Sequence, residues 1–142
     1  MIALLLGPWQ FIAKIRASFP QIHRWIGRLY IISVAIGGVS GFIVAWTSES
    51  GIMASFGFAI LAVLWLGATG RAYQSARSLD FVSHRRWMIR SFALTAAAIT
   101  LRLGLPVAPI LGYEFITGYI IMSWACWIIN LAIAEIYLRR SI

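Results

Sequence analysis

The chain contains two histidines, and each opens a similar run: His23-Arg24-Trp25-Ile26-Gly27-Arg28 and His84-Arg85-Arg86-Trp87-Met88-Ile89-Arg90. Two neutral imidazoles on different helices could ligate a b-type haem iron, with neighbouring arginines receiving the propionates. Against that chemistry, both histidines fall in the first turn of a helix, outside Arg28 and Arg90, whereas a haem wants ligands a turn or two inside the apolar zone. The simpler role is interfacial, with each ring bonding a loop or a lipid phosphate. Arg16, Arg24, Arg28, Arg77, Arg85, Arg86 and Arg90 make a cluster of planar, multidentate donors suited to phosphate. An anionic lipid headgroup is its ordinary partner, and a quinone or an anionic substrate is the more specific alternative.

Arg102 is the most unusual charge. It lies twelve residues beyond Arg90, roughly 18 Å along a helix and in the far half of a membrane, where it needs a partner such as Glu49 or Glu114. Glu135 stands four residues before Arg139, the spacing of a local pair on one helix face. Asn130 can bond across to another helix. The single cysteine, Cys126, excludes an intrachain disulfide and reads as a small packing residue. There is no Ser-His-Asp set, no metal-spaced cysteine group, no phosphate loop and no pair of intramembrane carboxylates, so neither an enzyme nor a metal site is expected.

The elements that must position these residues follow from composition. The 142 residues are 61% hydrophobic and 11% charged, where a soluble domain carries about a quarter charged residues. The apolar residues come in runs long enough to span a bilayer, which takes about 18 or more. A single all-α integral membrane bundle is expected, with helices at about 1–15, 25–47, 52–72, 85–105 and 115–137. The first is a half-helix at most, because it is too short to cross and Gly7-Pro8 interrupts it. Pro20 suits the first turn of the second helix, Ser83 is expected to cap the fourth, and Pro106 and Pro109 to stop it. Ser33, Gly37, Gly41 and Ala45 recur every fourth position, a face on which a neighbouring backbone can approach closely.

The net charge of +8 would point to nucleic acid in a soluble protein, but here the basic residues sit at the ends of the apolar runs, and no nucleic-acid partner is expected. All the Lys and Arg except Arg102 fall on one side of the expected bundle. By the positive-inside rule that side is cytoplasmic, with the C-terminus inside, in a bacterial inner membrane. Trp25 and Trp87 lie where an aromatic belt belongs.

The two histidine runs also form a repeat. Arg16 precedes His23, and Arg77 precedes His84, by the same seven positions, so the unit reads as a helical hairpin used twice in parallel orientation. The chain resembles a family of bacterial multipass predicted membrane proteins catalogued as a domain of unknown function. The likeness is carried by Gly7-Pro8-Trp9-Gln10-Phe11, His23 to Tyr30, Gly57-Phe58, Leu64-Trp65-Leu66, His84 to Arg90 and Thr100-Leu101-Arg102-Leu103. That family implies no established activity, and its pattern has a complete first helix, so the sequence leaves open whether Met1 is the native start. The reading of function that follows is a small non-catalytic accessory or assembly subunit of a respiratory or photosynthetic complex, contacting lipid headgroups and other subunits or its own copies. The alternative is an electron-transfer protein binding haem through His23 and His84, or quinone at the arginines. The third is a small oligomeric transporter with Arg102 on its path.

Overall fold

The computed structural model describes residues 2–11, 18–47 and 51–141; Arg16 and Glu49, singled out from the sequence, lie outside them. The chain is helical, without strands among the described residues. A short α1 (Ile2–Leu6) and a 3-10 turn (Pro8–Phe11) precede α2 (Pro20–Thr47), α3 (Ile52–Arg77), α4 (Phe81–Gly104), a one-turn α5 (Val107–Ile110) and α6 (Phe115–Ser141). Four of these helices are long and apolar enough to cross a membrane. At 28 residues α2 is about 42 Å long, more than the roughly 30 Å of a hydrocarbon core.

All four long helices extend further toward the arginine-rich end than their apolar runs require. Expected near residues 25, 72, 85 and 137, their ends lie at Pro20, Arg77, Phe81 and Ser141. The extra turns carry Arg24, Arg77 and Arg140, whose long stems continue an apolar surface while their heads reach water. The cap of α4 also differs from expectation. Asp80 is the N-cap, and its carboxylate accepts from the Ser83 backbone N–H at 3.0 Å. Ser83 is therefore the capped residue rather than the cap. The bonds from Ser83 and its neighbour hold the Asp80 carboxyl below its ordinary pKa. Capping is then complete above that ordinary value and is lost as pH falls through the lowered one.

The α3–α4 turn is a three-residue Schellman ending. Asp80 N–H donates to the Ser75 carbonyl at 3.0 Å and Leu79 N–H to that of Ala76 at 3.3 Å, with Leu79 at φ 61°. A leucine in this left-handed position costs roughly 1 kcal/mol, and the turn makes α3 and α4 an immediate antiparallel pair.

Around that pair the other helices form a ring. α2 packs on α3, α6 packs on both α3 and α4, and α1 touches α2 and α4, while α2 and α6 make no close backbone approach. Nor do the backbones of α2 and α4 come close, and α1 fills the notch between them. There Gly7, whose N–H closes α1 on the Ala3 carbonyl at 2.9 Å, lies directly against the Phe92 ring.

Hydroxyl chemistry spans what backbone packing leaves apart. Tyr30 of α2 is fully buried, and its hydroxyl lies 2.8 Å from Ser91 Oγ and 2.9 Å from Thr95 Oγ1 on α4. Trp65 Nε1 of α3 donates to Thr95 Oγ1 at 2.9 Å. Thr69 Oγ1 of α3 lies 2.7 Å from Ser91 Oγ and donates to the Trp65 carbonyl at 2.8 Å. Five side chains from three helices thus satisfy one another where water is excluded, as buried polar groups in a membrane must.

The buried face of α2 runs through Tyr30, Val34, Gly38 and Ala45. It comes close to α3 at Gly38, where a Cβ would stand 2.6 Å from Leu66 Cδ2. The fourfold spacing of Ser33, Gly37 and Gly41 runs along the edge of this face: Gly37 is in ordinary contact range of Trp65, and nothing lies within 4 Å of a Cβ at Gly41. α3 and α6 cross closely at Gly57, where a Cβ would meet the Ser123 Oγ at 2.7 Å and its carbonyl oxygen at 2.9 Å. Because one of those atoms is backbone, Gly57→Ala should destabilise the bundle by about 1–3 kcal/mol. Gly41→Ala should be neutral or slightly stabilising, by at most about 1 kcal/mol. Thermal unfolding of the two variants in detergent separates these outcomes.

Candidate functional site at the arginine-rich end

The contact of Tyr30 with Ser91 fixes the register of the two halves. Tyr30 is seven residues after His23 and Ser91 seven after His84, which on a helix is about two turns, or about 10 Å, along the same face. The two histidines therefore sit at matching depth on the inward faces of parallel helices, α2 and α4, toward the end where their chains enter. Both are half-buried. His84 Nδ1 lies 2.8 Å from the Ala72 carbonyl of α3. A carbonyl only accepts, so this nitrogen carries the proton and Nε2 is left as the basic one.

The arginines share this end but do not form one constellation. Arg24 and Arg85 are exposed on α2 and α4. Arg28 stacks on Trp25 of its own helix, 5.3 Å from the ring centroid, and Arg77 donates to the Tyr73 hydroxyl one turn earlier at 3.2 Å. Trp87 draws two guanidiniums from different helices, Arg71 of α3 at 5.6 Å and Arg90 of α4 at 4.8 Å from its centroid.

Arg90 carries the strongest polar contact of the site. Its Nε donates to Glu135 Oε1 of α6 at 2.5 Å and a terminal nitrogen to Oε2 at 3.0 Å. This two-pronged geometry fits a guanidinium to a carboxylate better than any single contact. The partner of Glu135 is thus on another helix, and Arg139, expected from the fourfold spacing, stands beside the pair. Arg86, Arg90, Glu135, Leu138 and Arg139 line a cleft of about 280 Å³ between α4 and α6.

Three other residues read from the sequence lie away from this end. Asn130 of α6 bridges two levels of α4, donating to the Ala93 carbonyl at 3.2 Å and accepting from the Thr100 hydroxyl at 3.0 Å. Arg102 lies exposed in the last turn of α4, at the opposite end of the bundle. Cys126 is fully buried. Among the described residues no group of three or more His, Cys, Asp or Glu could hold a metal.

Four features of the site were not foreseen: the Arg90–Glu135 clamp, the part played by Arg139, and the pairings of Tyr30 with Ser91 and of His84 with Ala72. For the tyrosine a signal existed. The 61-residue offset of the histidine repeat is also the offset of Tyr30 from Ser91, but nothing marked a serine and a tyrosine as equivalent positions.

The model of one family, described as predicted membrane protein (DUF2306), matches residues 1–138. The chain belongs to that family. No curated protein and no solved structure matches it, so this DUF2306 member draws no activity from a relative, and what it does must be argued from its own side chains. Within the site the clamp is the most accessible to measurement. Arg90→Gln and Glu135→Gln should each lower stability, and a double-mutant cycle read by thermal unfolding in detergent should return a coupling of about 1 kcal/mol or more. Additive single effects would show that the contact contributes nothing.

Proposed function

We propose that this membrane protein is a small non-catalytic accessory or assembly subunit, docking within the bilayer on a larger complex of respiratory or photosynthetic type. Its arginine-rich end and C-terminus would lie on the cytoplasmic side of a bacterial inner membrane. The observation that carries this reading is a set of open glycines. Gly41 on α2 and Gly67 and Gly70 on α3 have nothing within 4 Å of where a Cβ would stand. Against lipid, a glycine gives up side-chain contacts and costs about 1 kcal/mol of helix stability relative to alanine. It is favoured where another backbone comes close. The interior supports the same reading, because its hydroxyls bond one another and Glu135 is matched by Arg90.

Mild solubilisation of native membranes followed by native gel electrophoresis should find the protein in a species several times its own 15.8 kDa. Gly67→Leu and Gly70→Leu, which fill the open surface without touching the interior, should release it as a small species with an unchanged melting temperature. A wild-type protein that is monodisperse on its own and turns over a substrate would overturn the proposal.

A second reading, electron transfer through a b-type haem between His23 and His84, is favoured by one specific observation. The Nδ1–H of His84 is held by a backbone carbonyl, which is how imidazoles that give Nε2 to a metal are commonly oriented. Absorption spectra of the purified protein, oxidised and then dithionite-reduced, decide it. A Soret band with sharpened α and β bands on reduction, both lost in His84→Ala, would establish this reading over the first; tryptophan absorption alone would remove it.

A further inference from the structure

The antiparallel register of α4 and α6 places two arginines opposite each other. Arg90 meets Glu135, and Arg86 and Arg139 each lie four residues, about one helical turn, beyond that pair toward the same end. Both line the cleft. The pattern along one side is therefore a matched pair followed by two like charges. Glu135 is held by Arg90 through both of its oxygens, and its single negative charge is matched by that one guanidinium. Three guanidiniums against one carboxylate leave the cleft with a net charge of +2.

Two facing guanidiniums at an interface repel unless an anion lies between them. The rest of the cleft is shaped to receive one. Arg90 is fixed from two directions, by both oxygens of Glu135 and by the Trp87 ring, so its remaining N–H groups are oriented before any ligand arrives. Leu138, buried at 4% exposure, gives an apolar wall, while Arg86 and Arg139 are exposed at the mouth. The volume of about 280 Å³ admits a tetrahedral oxyanion with part of what it is esterified to. Its place at the arginine-rich end of a membrane-spanning bundle sets the mouth at headgroup depth.

We propose that this cleft binds a phosphate-bearing anion at the membrane surface, with Arg86 and Arg139 as a pincer on the phosphate oxygens and the Arg90–Glu135 pair as its rigid floor. The site is independent of the subunit reading above. Two sources present this chemistry there, the phosphodiester of an anionic lipid headgroup and soluble phosphate, and they are separable by experiment.

The full-length protein in detergent is titrated with phosphatidylglycerol, with phosphatidylcholine and with inorganic phosphate, following retained ligand by native mass spectrometry and melting temperature in parallel. Phosphatidylglycerol is expected to bind about tenfold more tightly than phosphatidylcholine and to raise the melting temperature. Arg139→Gln should weaken that binding about tenfold, the loss of one charge-assisted hydrogen-bonding partner, and the Arg86→Gln/Arg139→Gln double variant should abolish the preference. Arg140→Gln, which removes the same charge one position away and outside the cleft, should stay within about twofold of wild type. Melting temperatures without ligand show whether each variant is folded. If inorganic phosphate binds in the same cleft-dependent way and displaces the lipid, the source is soluble phosphate. Equal losses from Arg139→Gln and Arg140→Gln, or no preference for the anionic ligands, would overturn the site in favour of diffuse surface charge.

Discussion

The bundle depends on one short bridge, the Tyr30 hydroxyl held between Ser91 and Thr95. α2 and α4 do not approach each other as backbones, so a direct bond between them needs a side chain long enough to cross. A tyrosine is long enough, but its hydroxyl then lies in a place without water and must find partners. The sequence supplies them one turn apart on α4, and Thr69 and Trp65 of α3 complete their bonding. Because each hydroxyl is satisfied only in one register, the network specifies the relative height of three helices, which apolar packing in lipid would leave loosely set.

The level of the histidines follows from that register. Seven residues from either side of the bridge lead back to His23 and His84, so any sliding of α2 against α4 would part them. It would also cost the hydroxyl bonds. The parallel repeat legible in the sequence is thus a spatial relation between the halves, with α1 wedged where the two repeats fail to meet as backbones.

How much was legible depends on the kind of information each feature needs. The four spans were legible, because their apolar runs are set by bilayer thickness and not by neighbours, and so was the half-length first helix, because Gly7-Pro8 breaks it. Helix ends were misjudged by about five residues at Pro20, Arg77 and Ser141, because hydropathy marks the hydrocarbon boundary while the helix continues into the headgroup layer. Of the small residues spaced along α2, Ala45 lies on the buried side with Tyr30, Val34 and Gly38, while Gly37 and Gly41 lie along its edge. The spacing of Ser33, Gly37 and Gly41 was conspicuous, but Tyr30 and Val34 define the buried side, and a tyrosine is not marked as interior until its partners are known. The cap went to Asp80 over Ser83 because the start of a helix is fixed by the turn before it, here the Schellman ending of α3.

Glu135 shows why charge chemistry was the least legible. Fourfold spacing on one helix is a real attraction, worth about 0.3–0.5 kcal/mol between exposed partners, and it pointed to Arg139. What the sequence could not weigh was a partner 45 residues away, Arg90, presented by a neighbouring helix to both oxygens of the carboxylate. A two-pronged contact outweighs a single one whenever geometry permits it. With Glu135 matched by Arg90, Arg139 and Arg86 line the same cleft as excess positive charge. The same choice of partner that ties α4 to α6 therefore gives this end of the molecule its unbalanced positive cleft.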